Sequence, residues 1–350
     1  MQLREFIQKM PKVELHLHLE GTICPQTAFD FMHRNNPSAA PLTPEQVRNL
    51  YRFRNLAEFI RGMRTVSNNI VEIDDLRRVT CELFGELRAQ NVRYVEFDVA
   101  LQKYIERGMS LRDVVETIHS CVPCQSGIDA YMIVNLQRDR GPQKAVEMVE
   151  AVAELDHPFI VGIGLSGDEN RYRPGLFTDA FRIAREKKLH LTAHAGEAAG
   201  PASVWGALRD LKVERIDHGT QAIDDDTLVE YLVQHKIPLT QCLSSNLRLN
   251  VVENIASHPF YEFYRRGVPV TLNTDDPQVF GVSLTEEYER AASAFDLDRH
   301  QLGEIALNGI RAAFAPSKVR ERVRTEMERE LRELGAQIRS SIPGSAESAS

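Results

Sequence analysis

Short runs of β-branched and apolar residues alternate along this chain with longer segments whose apolar positions recur at helical spacing. Eight runs read as strands, near residues 13–17, 92–99, 129–136, 159–165, 189–194, 213–218, 237–242 and 268–275. Most are followed by an amphipathic helical pattern, as in Leu111 to His119 and Pro174 to Lys187, so the order strand–helix repeats. Eight such units predict an α/β fold of the (β/α)8 TIM-barrel type, which needs ~250 residues and accepts insertions. The largest insertion, about residues 24–90, follows the first strand and reads as several helices. Pro37, Pro41 and Pro44 mark loops there, and Thr43-Pro44-Glu45-Gln46 carries a capping signal. Its position directly after the first strand makes it a candidate helical flap over the barrel mouth. From Pro316 the chain is dense in Arg and Glu, yet Val319, Val323, Met327, Leu331 and Leu334 keep one apolar stripe. That pattern predicts a C-terminal helix with one face on the barrel. The whole reads as one domain over residues 1–338, and the small polar residues 339–350 read as a disordered tail.

Composition narrows the partners. With 350 residues and 43% hydrophobic content, the chain can bury a sizeable core. A net charge of −8, with both signs spread along the chain, argues against nucleic acid or an anionic membrane surface and fits a small neutral or cationic ligand. No stretch approaches the ~20 apolar residues of a membrane span, and Met1 to Met10 has no apolar core segment, so a cytoplasmic location is expected. Five cysteines, Cys24, Cys81, Cys121, Cys124 and Cys242, are an odd, scattered set and read as reduced thiols. Cys121 and Cys124 form a C-x-x-C, but no second cysteine pair completes a four-cysteine zinc site. Oligomeric state is not readable from these features.

Chemistry gathers at the ends of the candidate strands. His16 and His18 lie two apart in Val13-Glu14-Leu15-His16-Leu17-His18-Leu19-Glu20-Gly21, so on a strand both imidazoles face one way and can reach one ion. The fifth strand runs through His194 into Ala195-Gly196-Glu197, and the sixth ends Asp217-His218-Gly219. The eighth ends Asn273-Thr274-Asp275-Asp276-Pro277. Singly, each has a structural explanation: a hydrogen-bonded histidine pair, a core histidine beside a helix cap, a turn histidine, an N-cap before proline. In a barrel, however, parallel strands bring all four C-terminal ends to one mouth, where barrel active sites lie. His33, His157, His235, His258 and His300 have no ligand-spaced neighbours and are expected at the surface or in packing.

Taken in order, these motifs together with Gly164-Leu165-Ser166-Gly167-Asp168-Glu169 resemble the adenosine and adenine deaminases of the amidohydrolase superfamily, from about Pro11 to Pro316. The resemblance implies one zinc held by His16, His18, His194 and Asp275, and hydrolytic loss of ammonia from a 6-aminopurine. It implies that Glu197 protonates N1 and that His218 takes the water proton and stabilises the hydroxide. Asp276 would bond N7 and the Gly167 N–H would bond N3, with Glu20 near the ribose 5′ end and His18 bordering the substrate. Binuclear relatives bridge their metals with a lysine at the end of the fourth strand, and Phe159 to Leu165 contains none. A non-catalytic purine-binding protein on this scaffold predicts damage to a ligand or acid–base position, and none is damaged.

The implied substrate is a purine nucleoside or base. Glu20, where many adenosine deaminases resemble one another in carrying aspartate, is similar to adenine-specific relatives, and Asp217 and Trp205 lean the same way. Gly167-Asp168-Glu169 and Ala198-Ala199-Gly200-Pro201 resemble nucleoside enzymes. Adenosine and deoxyadenosine lead, with adenine and 5′-modified nucleosides such as aminodeoxyfutalosine as alternatives.

Overall fold

The computed structural model describes residues 1–35, 42–54, 56–122 and 127–338. All eight expected strands are present: β1 (Lys12–Glu14), β2 (Val92–Val99), β3 (Asp129–Gln137), β4 (Ile160–Ser166), β5 (His190–Ala195), β6 (Arg215–His218), β7 (Leu239–Gln241) and β8 (Val270–Leu272). They pair in parallel in chain order, β1 to β8, with helices between them, forming the expected (β/α)8 barrel.

β1 and β8 are shorter than their apolar runs, and the reason lies at the seam between them. There the Leu15 N–H donates to the Asn273 side chain (2.8 Å) and the Thr274 N–H to the Glu14 carboxyl (2.8 Å), so side chains replace part of the regular ladder. The main chain then pairs again: Asp275 N–H donates to His16 O (3.0 Å), and His18 N–H donates to Asp275 O (2.9 Å). On the other side the Asp98 N–H, at the end of β2, donates to Leu17 O (2.7 Å). The segments carrying His16, His18 and Asp275 therefore close the barrel with their own backbones.

Below the mouth the interior carries a polar column. Arg215, fully buried, donates to Glu96 Oε2 (2.7 Å), which is also buried. Its Nε lies 3.8 Å from Asp217 Oδ1. Asp217 in turn accepts from Thr192 Oγ1 (2.7 Å) and Thr240 Oγ1 (2.9 Å). Charges this deep persist only when paired and hydrogen-bonded.

The insertion is helical, as expected, with helices Pro25–Asn35, Pro44–Asn49, Leu56–Ser67 and Ile73–Ala89. Thr43 and Gln46 form the anticipated capping box. Helix Leu56–Ser67 meets the mouth: Phe59 stacks on Phe280 of the short helix Pro277–Phe280 after β8 (5.4 Å between centroids), Arg64 pairs with Asp139 after β3, and Ser67 accepts from Lys103 after β2. The helix Ser317–Glu333 buries Val323, Met327 and Leu331, while Val319 and Leu334 flank them half-buried. Pro37, Pro41, Cys124 and the tail 339–350 lie outside the described residues, among which Cys24, Cys81, Cys121 and Cys242 form no disulfide. No described helix is long and apolar enough to cross a membrane.

Removing the cation from the column leaves Glu96 buried and unpaired. Arg215→Ala is expected to lose about 3–5 kcal/mol of stability, seen as a lower urea midpoint; a midpoint equal to wild type would contradict the column's structural role.

Candidate active site

At the closed seam three imidazoles converge. His194 Nε2 lies 3.0 Å from His16 Nε2 and 3.1 Å from His18 Nε2, while Asp275 Oδ1 lies 3.5 and 3.3 Å from those two nitrogens. All four residues are buried. The far side of His16 sets which of its ring nitrogens carries the proton. Thr240 Oγ1 spends its one proton on Asp217, so at 3.1 Å it accepts from His16 Nδ1–H, and the carbonyl of Thr240 lies 3.4 Å from the same nitrogen. His16 Nε2 is thereby an unprotonated lone pair. His18 Nδ1 faces the Asn135 amide (3.2 Å), which Ser166 Oγ meets at its other end (2.7 Å). His194 Nδ1 points toward Asp217 Oδ2 at 3.7 Å. Asp275 keeps Oδ1 for the cluster because Ser245 Oγ donates to Oδ2 (2.6 Å). Three imidazoles and a carboxylate converging on one point are the donor set of a divalent metal.

Beside this cluster stand Glu197 and His218. His218 Nε2 lies 3.5 Å from Glu197 Oε1 and 3.8 Å from Asp275 Oδ2. Burial, reinforced by the charges of Asp275, Glu169 and Asp276, pushes the Glu197 carboxyl well above the usual carboxylate range. Burial lowers His218 well below the usual imidazole range, with His16 adding to it. Asp275 goes the other way: burial alone would raise it, but its bonds to His16 and His18 hold it well below the usual range. His218 and Asp275 both sit in left-handed backbone (φ 64° each). For residues with a Cβ that costs roughly 1–3 kcal/mol each and marks positions where side-chain direction overrides backbone preference.

Residues 11–330 match the family model described as "Adenosine deaminase". The chain belongs to the adenosine deaminase family. It is 34% identical to an aminodeoxyfutalosine deaminase of Streptomyces avermitilis over 93% of this chain and 92% of that protein. Among solved structures it resembles an adenine deaminase of Arthrobacter aurescens (TM-score 0.87, 29% identity, 92% of this chain and 99% of that one). It also resembles a Burkholderia ambifaria amidohydrolase with bound zinc (TM-score 0.88, 28% identity, 95% and 93% covered). As a member of this family the chain is a hydrolase of C–N bonds in cyclic amidines that deaminates a 6-aminopurine.

The structure gathers His16, His18, His194, Asp275, Glu197 and His218 at one point. Asp276 is buried, with burial and then Asp275 raising its carboxyl well above the usual range. Gly21 packs directly on it: a Cβ there would fall 2.0 Å from Asp276 Oδ1. Gly167, in the loop after β4, adopts φ +102°, a conformation that side chains resist. Glu20 is buried and its Oε1 accepts from Tyr104 Oη (2.8 Å) and Ala100 N–H (3.2 Å).

Trp205 lies on helix Pro201–Gly206, its Nε1–H donating to Asp225 (2.9 Å) beneath the Arg209 guanidinium (3.8 Å). His258, expected at the surface or in packing, is buried and bonds Asn246 (3.0 Å) behind His218. Asp217 belongs to the polar column beneath the ligands.

Glu169 is the group that motif reading passed over. Its carboxyl accepts from the N–H groups of Gly196 (2.8 Å), Glu197 (3.0 Å) and Ala198 (3.0 Å) and from Ser203 Oγ (2.5 Å). Four donors saturate a carboxylate, so Glu169 pins the turn that carries Glu197. Arg138 Nη2 adds a bond to His194 O (2.7 Å), and Gln221 Nε2 one to Glu197 O (2.5 Å). Glycine-rich context around residue 167 was visible in the chain, but nothing local foretold that Glu169 reaches across to the next strand's loop. Glu169→Gln, which turns an amide N–H against a backbone N–H, is expected to lower kcat by about 10²-fold, the scale of a small misplacement, with metal content unchanged. Wild-type kcat in a folded, metal-loaded variant would contradict this.

Proposed function

We propose that this chain is a zinc-dependent deaminase of adenine nucleosides, converting adenosine or deoxyadenosine and 5′-extended relatives to the 6-oxo product and ammonia. The observation that carries the reading is the convergence of three imidazole Nε2 atoms and Asp275 Oδ1 on one point beside Glu197 and His218. Tetrahedral bonds of 2.0–2.1 Å imply ligand separations of about 3.3 Å, and this donor set spans 3.0–3.5 Å between His16, His18, His194 and Asp275 where measured. Zinc bound there supplies Lewis-acid activation that lets water ionise near neutral pH. One such centre, with no lysine in β4 to bridge a second, fits one zinc per chain.

The purine ring presents acceptors at N1, N3 and N7, and the residues assigned to them are donors. Glu197, kept protonated by burial, gives its proton to N1, which weakens ring aromaticity and opens C6 to water. Asp276, likewise raised, donates to N7, and the Gly167 N–H donates to N3, so the base is held in one register. His218 stands over the attacking oxygen. Water adds its oxygen to C6; one of its protons replaces the one Glu197 delivered to N1, and the other goes to the amino group. The C6–N bond then breaks and ammonia leaves.

What favours a nucleoside is the polar rim beyond the base. Lys103, adjoining Tyr104 that bonds Glu20, is partly buried, and burial brings its ammonium down to about 8 although Glu20 opposes this. With Ser67 of the insertion it offers hydrogen-bonding groups to a sugar and its 5′ substituent, for which free adenine has no matching atoms. The aminodeoxyfutalosine deaminase relative supports the same side. Adenine is the second reading, favoured by the resemblance to the Arthrobacter adenine deaminase and by Glu20 Oε1 being already occupied by Tyr104 and Ala100.

Ammonia release from adenine, adenosine, deoxyadenosine, methylthioadenosine and aminodeoxyfutalosine by the zinc-loaded protein tests this. A nucleoside is expected to exceed adenine at least tenfold in kcat/KM; adenine as the sole substrate would establish the second reading, and no turnover of any would overturn both. Glu197→Gln is expected to lose about 10²–10⁴-fold in kcat while keeping its zinc, the worth of a general acid; near-normal turnover would remove Glu197 from the mechanism.

A further inference from the structure

Behind His218 runs a buried hydrogen-bond relay whose polarity is set at its far end. The Phe260 backbone N–H, which can only donate, meets His258 Nδ1 at 3.1 Å. His258 therefore carries its proton on Nε2 and donates to Asn246 Oδ1 (3.0 Å), an oxygen that also accepts from Thr220 Oγ1 (2.7 Å). With its oxygen so committed, the Asn246 amide turns Nδ2 toward His218 Nδ1 (3.3 Å). An amide nitrogen donates, so His218 Nδ1 accepts. His218, Thr220, Asn246 and His258 are all at most 3% exposed, so no bulk water relaxes the pattern.

We infer that Asn246 and His258 are positioning residues that lock His218 as the Nε2–H tautomer, making it a hydrogen-bond donor to the attacking oxygen rather than the acceptor of its proton. Among the described residues His218 Nε2 has no hydrogen-bond partner, and it faces the space between Glu197 and Asp275, where that oxygen must pass. A fixed N–H aimed at developing negative charge stabilises it without reorganisation. Of the two roles anticipated for His218, stabilising the oxygen is kept, and water's proton goes instead to Glu197. The inference rests on the proposed deaminase mechanism for its consequence but not for the tautomer itself.

Asn246→Asp tests it. A carboxylate there has no proton to give, so His218 moves its proton to Nδ1 and presents a bare Nε2 to the site. Two-bond 15N–1H correlation spectra of histidine-labelled protein, with and without zinc, are expected to show His218 as Nε2–H in wild type and Nδ1–H in Asn246→Asp. The kcat of the variant is expected to fall on the order of 10³-fold or more, the scale of a catalytic histidine held in the wrong tautomer, with KM and zinc content little changed. His258→Gln, a milder cut in the same relay, is expected to give a mixed tautomer and about a tenfold lower kcat, and serves if Asn246→Asp does not fold. An Nδ1–H tautomer in wild type, or a tautomer switch with kcat unchanged, overturns the inference. Absence of wild-type turnover on every 6-aminopurine would instead overturn the deaminase mechanism and leave the tautomer result standing.

Discussion

The site depends on how the barrel closes. Main-chain bonds between Asp275 and the His16–His18 segment join the first strand to the eighth, and the side chains of those same residues are metal donors. Residues some 260 positions apart are thus fixed to within one hydrogen bond of each other before any ion binds. Asp275 accepts a left-handed backbone to satisfy both demands, its N–H and C=O pairing across the seam while its carboxyl turns inward. Strain of this kind is tolerated where the surrounding pairing over-determines the conformation.

From that seam outward, several reactive groups are fixed by a partner behind them. Thr240 holds His16 with its proton away from the cluster, Ser245 holds the second oxygen of Asp275, and Glu169 pins the turn bearing Glu197. The Asn246–His258 relay does the same for His218. The polar column through Arg215 and Asp217 carries this ordering down into a barrel interior that would otherwise be packed with branched apolar side chains. Dipoles oriented in advance stabilise developing charge without reorganising.

Much of this was legible along the chain. Strands buried on both faces leave apolar runs, and eight of them sufficed for the barrel. His16, His18, His194, His218 and the Asp275-Asp276 pair stood out because each terminates such a run. The extent of β1 and β8 was misjudged because Asn273 and Glu14 side chains replace ladder bonds there, and side-chain substitution leaves no trace in hydrophobic periodicity. Glu169, Asn246 and His258 were not legible for a related reason: their work is done across loops from different strands, and nothing adjacent to them in sequence reports the partner.

The central claim is that barrel closure aims four donors at a single zinc. Anomalous diffraction from crystals of the zinc-loaded protein, recorded on both sides of the zinc absorption edge, tests it most directly. One peak per chain is predicted, bonded to the Nε2 atoms of His16, His18 and His194 and to Asp275 Oδ1. Two adjacent peaks, or a peak that omits Asp275 or any of these histidines, would contradict it.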